Sequence, residues 1–358
     1  MHGSLLLLGV SGPELTSDEA ELYRRIQPAG YILFSRNIVS PEQTRKLTDD
    51  LRSLSYDSPI LAIDQEGGRV TRTKDIAPVL PSALDLAALG NQNTIAYAGA
   101  LTGELLNQLG FNLNCAPVLD LEHHPDAQTA LRGRCWGRDP QRVIDHAGMW
   151  NRWMRKRQMA SCGKHFPACG RAVSDPHFDL PSSNATLAEL LSEDVIPYTA
   201  LMPELDSIML AHVEFPNIDP DYPASLSKRI IGSFLRDQLG FDHHVVMTDD
   251  LDMGAITNRY GRGEDVRLAI EAGNDLALIC HQIETADQAV EALKTLPIHT
   301  IEEAAARIAR LKKKFSAPPT WSDKKWTETC EAITKLAAGV PAVQKDTTGT
   351  SESPVARY

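Results

Sequence analysis

The chain has 358 residues, 42% of them apolar and 23% charged, with a formal net charge of -11. That balance is ordinary for a soluble globular protein, and with no basic run anywhere it argues against nucleic acid and anionic membrane as partners. The six cysteines (Cys115, Cys135, Cys162, Cys169, Cys280, Cys330) are scattered without a CxxC pair, so neither a thiolate metal site nor a disulfide framework is indicated.

In chain order, the N-terminal MHGSLLLLGV carries no Lys or Arg, and its apolar run is about half the length of an export-signal core. It reads as a first strand. Seven further apolar runs follow: YILFS (31–35), ILAIDQE (60–66), LNCAPVLD (113–120), MASCGKHFP (159–167), SIMLAHV (207–213), HVVMTDDL (244–251) and LALICH (276–281). Helix-like stretches lie between them, such as 41–53, 93–109, 140–157, 187–201 and 263–272. Runs without polar alternation, each followed by an amphipathic segment, are the mark of a parallel sheet buried on both faces. Eight of them predict an α/β protein with a closed (β/α)8 TIM-like barrel in a single domain. The competing reading is a doubly wound open sheet. Against it, no G-x-G-x-x-G follows the first strand, and the Gly67-Gly68 pair lacks that spacing.

Beyond the eighth run, 301–314 and 326–338 read as further helices around a Pro318-Pro319 break. The tail 341–358 is polar and is expected to be disordered, which leaves residues 1–340 as one barrel with C-terminal helices. No run approaches the roughly 18 residues of a membrane helix, so a reduced, cytoplasmic compartment is expected.

In a barrel the C-terminal ends of the strands share one face. Here those ends carry Asp64 and Glu66, Asp120, Lys164 and His165, His212, then Asp249 and Asp250. One such carboxylate commonly caps a helix or pairs with an Arg; so many at one end point to a site. HExxH is absent, and the pairs His123-His124 and His243-His244 read as surface residues, so no metal and no cofactor is expected. Lys164 among carboxylates keeps its proton, which suits hydrogen bonding to hydroxyls better than Schiff-base chemistry. Acids, Arg, Lys and His with a nearby Trp136 describe a sugar site, although Trp136 and His212 serve equally well as core residues.

Taken together, KHFPACGRAVSDPH, VVMTDDLDM and AIDQEGGRVTR resemble glycoside hydrolase family 3, specifically its single-barrel bacterial β-N-acetylglucosaminidases used in peptidoglycan recycling. The resemblance runs from about Leu5 to Phe315. It implies an exo-acting retaining hydrolase that releases terminal β-linked N-acetylhexosamine. Asp249, directly after Thr248, matches the family nucleophile; His177 matches the general acid/base and Asp175 its orienting partner. Asp64, Arg72, Arg134, Lys164 and His165 match groups that bind the sugar. The implied partner is a small carbohydrate, with oligomeric state left open.

Three departures stand out. Ala168-Cys169 replaces the usual Gly-His, with Arg171 following where relatives have a small or acidic residue. Pro176 sits inside the dyad, and His243-His244 precedes the nucleophile strand where a Gly is usual. Two alternatives stay open: a phosphorylase of the same family, and a sugar-binding barrel that has lost catalysis through the changes at 168–171.

Overall fold

The structure, a computed structural model, describes residues 2–125 and 129–343; the expected disordered tail lies, from residue 344 on, outside the described residues. Ten strands follow in chain order: β1 (Leu6–Leu8), β2 (Gly30–Leu33), β3 (Ile60–Ile63), β4 (Gln65–Gly67), β5 (Val70–Thr71), β6 (Leu113–Asn114), β7 (Ala160–Phe166), β8 (Ser207–Leu210), β9 (Val245–Asp250) and β10 (Leu276–Ile279). Eight of them close a barrel in the hydrogen-bonding order β1-β2-β3-β6-β7-β8-β9-β10. Every pairing in it is parallel, and β1 seals the ring by placing Leu7 opposite Gly30 on one side and Leu278 on the other. All eight expected runs form their strands. The reason is burial: Leu6, Leu7 and Leu8 are wholly enclosed, and the barrel strands are buried throughout except at Asp249.

The remaining two strands form a small antiparallel hairpin after β3. Gly67 and Gly68 turn it with φ of 95° and 55°, backbone that other residues rarely adopt. The Gly-Gly pair is therefore a hairpin turn and not a phosphate loop.

Local signals set the outer helices. Pro41–Leu54 starts at Ser40, whose hydroxyl accepts from the Gln43 N–H, with Pro41 in the first turn where its missing N–H costs nothing. Gln92–Gln108 lies so close to Pro140–Arg155 that a Cβ on Gly99 would fall 2.1 Å from the Trp150 carbonyl oxygen. The helix expected over 187–201 is instead two, Leu187–Ser192 and Ile196–Leu201. Pro197 explains the break: it fits the first turn of a helix but not its interior. Ile298–Lys312 and Asp323–Ala338 complete the described chain. Among the described residues, no helix is long and apolar enough to cross a membrane.

Candidate active site

The C-terminal ends of the barrel strands open on one cleft. Asp64, Arg72, Arg134, Lys164, His165, His177 and Asp249 all line it. Asp175, the remaining candidate, stands behind His177. Sequence reasoning therefore brought eight residues to one place from five separate segments.

The floor is a charge lattice. Lys164, at the end of β7, places Nζ 2.7 Å from Asp64 Oδ1 and 2.6 Å from Glu66 Oε1. Arg134 grips Glu66 with both Nε and Nη2 at 2.8 Å, the bidentate geometry that a guanidinium makes with a carboxylate. Arg72 reaches Asp64 Oδ2 at 3.4 Å. Burial by itself would push both carboxyls up. The cations outweigh it: Lys164 and Arg72 hold Asp64 below its ordinary value, and Arg134 and Lys164 hold Glu66 well below. Burial likewise opposes the charge on Lys164, yet Asp64 and Glu66 raise its pKa overall, so the amine stays protonated. An ammonium has three donors, and two are committed here, leaving one for a ligand hydroxyl.

Glu66 is the residue that sequence reasoning left without a role. The hairpin turn folds it back to meet two cations distant in the chain, one on β7 and one in a loop, and only the Gly67-Gly68 pair hinted at that turn. Glu66→Gln should leave the buried Arg134 without the carboxylate it grips and Lys164 with Asp64 alone, destabilising the fold by about 3 kcal/mol. Glu66 has a depressed folded pKa, so its contribution is complete above its ordinary value of 4.5 and fades as pH falls toward the folded value. The gap in thermal midpoint between wild type and Glu66→Gln is thus expected to be widest near neutrality and to narrow below about pH 4.5. A gap that is constant with pH would contradict this account.

His165 is oriented from behind. Its Nδ1 and its backbone N–H both meet Asp120 Oδ2, at 2.8 and 2.9 Å, and Asp120 Oδ1 accepts from the Gly170 N–H at 3.1 Å. Asp120 is thus neither a helix cap nor an Arg partner; it fixes an imidazole and the start of the next loop. The Lys164-His165 peptide is cis, as are Ala116-Pro117 and Phe166-Pro167.

That next loop carries the dyad. Asp175 Oδ1 accepts from the His177 backbone N–H at 3.0 Å and lies 2.6 Å from His177 Nδ1. Burial would raise the Asp175 carboxyl, but its bonds to His177 prevail and lower it. Asp175 therefore stays ionised and can hold a proton on Nδ1, which turns Nε2 toward the cleft as the exchangeable position.

Asp249 is the penultimate residue of β9, with one oxygen accepting from the Asp250 N–H at 2.8 Å. Asp250 is occupied elsewhere. Its Oδ1 accepts from the Asp252 and Cys280 N–H groups, and its Oδ2 lies 2.9 Å from His281 Nδ1. His212 bridges the Ser225 hydroxyl at 2.7 Å and the Asp250 carbonyl at 3.0 Å, and burial lowers its pKa, so it is a neutral, satisfied member of the wall.

Three expectations change. Trp136 is buried, packs against Trp150 with ring centroids 6.3 Å apart, and is not among the residues lining the cleft, so it is core and not a platform. His123 is not a free surface residue: its Nε2 meets the buried Asp194 at 2.7 Å. His244 is partly buried, with Nε2 2.9 Å from the Met202 carbonyl, whereas His243 is exposed.

Two groups of described residues have metal-ligand chemistry, His123 with Glu193 and Asp194, and Asp250 with Asp252 and His281. In the first Arg171 already pairs with both carboxylates, and in the second Arg262 pairs with Asp252. Dialysis against EDTA is accordingly expected to leave turnover unchanged. A loss restored by Zn²⁺ or Mg²⁺ would show that a metal does occupy such a group.

Comparison with known proteins agrees with this geometry. The sequence model described as "Glycosyl hydrolase family 3 N terminal domain" matches residues 3–311. A protein named beta-hexosaminidase from Pseudomonas aeruginosa is 34% identical over 335 residues, covering 93% of this chain and 98% of its own. Among solved structures, a glycoside hydrolase family 3 β-N-acetylglucosaminidase from a Paenibacillus species superposes with a TM-score of 0.86 at 32% identity, over 94% of this chain and 68% of that one. NagZ from Neisseria gonorrhoeae superposes with a TM-score of 0.80 at 27% identity, over 93% and 98%. The matched segment contains the whole barrel and every residue of the cleft, and on that basis the chain belongs to glycosyl hydrolase family 3.

Proposed function

We propose that the protein is an exo-acting, retaining β-N-acetylhexosaminidase that releases terminal N-acetylglucosamine from peptidoglycan fragments or other glycans, in the cytoplasm. The catalytic unit is the single barrel of residues 1–340. The observation that carries the reading is the pairing, in one cleft, of a carboxylate on a strand end (Asp249) with an imidazole backed by its own carboxylate (His177 and Asp175). The names of the relatives support the acetamido sugar.

Retaining hydrolysis needs a nucleophile under the anomeric carbon and a proton donor beside the departing oxygen. In the proposed mechanism Asp249 attacks the anomeric carbon and forms a glycosyl ester. His177 gives its Nε2 proton to the leaving oxygen. Asp175 stabilises the ring as the proton moves, as the third member of a hydrolytic triad does. In the second step the imidazole takes a proton from water, which cleaves the ester and restores Asp249. Lys164, Arg134, Arg72 and Asp64 hold the sugar hydroxyls, and the lattice of ion pairs fixes their positions before substrate arrives.

Aryl β-glycosides with and without the 2-acetamido group test the assignment. Rapid cleavage is expected only of the acetamido sugars, and equal rates on plain glucosides would overturn it. The dyad also keeps the phosphorylase reading open, since a neutral imidazole repels phosphate less than a carboxylate would. Turnover compared in phosphate and in a zwitterionic buffer separates the two. The reading as a barrel without catalysis draws no support from a cleft in which the His177-Asp175 pair is formed.

A further inference from the structure

We propose that Arg171 is a positioning residue for the acid/base: its guanidinium, held by Asp194 and Glu193, fixes the stem of the loop that carries Asp175 and His177. This rests on the reading of His177 given above.

The loop leaves β7 at Phe166, turns through Cys169–Arg171 and returns across the cleft at His177. Its tip is docked mainly through its backbone, with the Asn258 amide donating to the Phe178 carbonyl at 3.1 Å. The Gly254 N–H donates to the His177 carbonyl at 3.2 Å, and the Ala255 N–H donates to the Pro176 carbonyl at 3.1 Å. A Cβ on Gly254 would lie 2.8 Å from the His177 oxygen, so this approach requires glycine. The stem is held by side chains: Asp120 accepts from the Gly170 N–H, His124 Nε2 lies 3.3 Å from the Arg171 carbonyl, and the Arg171 guanidinium makes the ion pairs. Arg171 Nε lies 2.5 Å from Asp194 Oδ2, and Nη2 lies 2.7 Å from Glu193 Oε2. Asp194 is itself buried and braced on its other oxygen by His123. Both carboxylates sit at the break between Leu187–Ser192 and Ile196–Leu201, so the interrupted helix is what turns them toward the loop.

Between the two anchors Val173 and Ser174 are exposed. The stem anchor is therefore what limits swinging of the segment that aims Nε2. Proton transfer needs donor and acceptor within hydrogen-bond reach, and a displacement of about 1 Å costs on the order of 100-fold. Arg171 touches no reacting atom; its effect passes through His177.

The test compares kcat/KM, which reports glycosylation, on a disaccharide and on an activated nitrophenyl glycoside. Arg171→Met should lose about 10- to 100-fold on the disaccharide and under about 3-fold on the activated substrate. Arg171→Lys, which keeps the charge without the fork, should fall between Met and wild type. Glu193→Gln, at a half-exposed carboxylate, should show a smaller loss with the same selectivity, and these two variants carry the test should Arg171→Met fail to fold. In a His177→Ala background, Arg171→Met should add under about 3-fold, because the group it aims is gone. Equal losses on both substrates, or a full extra loss in that background, would reduce Arg171 to a structural ion pair and overturn the proposal. His177→Ala alone separates the two ideas. If it discriminates between the substrates and Arg171→Met does not, only the positioning role falls. If it does not discriminate, the acid/base reading falls and this proposal with it.

Discussion

Asp249→Asn is expected to abolish turnover while leaving the fold intact. A carboxamide cannot form the glycosyl ester, so the first step has no covalent product. The fold should survive because the side chain's acceptance from the Asp250 N–H can be made equally by an amide oxygen. The neighbouring Asp250 cannot take over, since both its oxygens are committed, to the Asp252 and Cys280 N–H groups and to His281. Burial would raise the Asp250 carboxyl, but its bonds to His281 and these N–H groups keep it low, so it is also a poor proton donor. Retention of more than about a hundredth of wild-type kcat, a loss below ~2.7 kcal/mol, would remove Asp249 from the nucleophile's role. An unchanged circular dichroism spectrum and thermal midpoint should accompany the loss.

The barrel was legible because its strands are covered on both sides. A run such as Leu6–Leu8 needs no partner to be recognised, and each of the eight runs is apolar for the same reason. Strand ends were legible too, since Lys164 or Asp249 at the close of an apolar run has no cause in packing. What escaped depends on contacts across long chain separations. Glu66 pairs with Arg134, 68 residues away, and with Lys164, 98 residues away, and no local pattern announces either pairing. Trp136 was ambiguous because an indole serves a core as readily as a sugar, and only its packing on Trp150 decides. The break at 193–195 was hidden by helix-forming neighbours, although Pro197 marked it. The cis peptide between Lys164 and His165 has no sequence signal at all.

His177→Ala should lose about 10²- to 10⁴-fold in kcat/KM on a disaccharide, the usual contribution of a general acid. The loss on an activated nitrophenyl glycoside should be far smaller, and the reason lies in the leaving group. A sugar alkoxide is too basic to depart without a proton, whereas a nitrophenolate leaves nearly unaided. The placement of the dyad sets the second half of the expectation. Asp175 meets Nδ1 at 2.6 Å and acts only by orienting the ring and stabilising its charged form. Asp175→Ala should therefore show the same selectivity at a milder level. Because the two residues form one unit, the double variant should be little worse than His177→Ala alone. Additive losses would mean that they act separately, and equal losses on both substrates would mean that neither moves the proton. The selectivity itself is the discriminating readout, because a cleft that had lost its grip on the sugar would slow every substrate alike. A loop that kept its shape and lost its proton would slow only the substrates that need one.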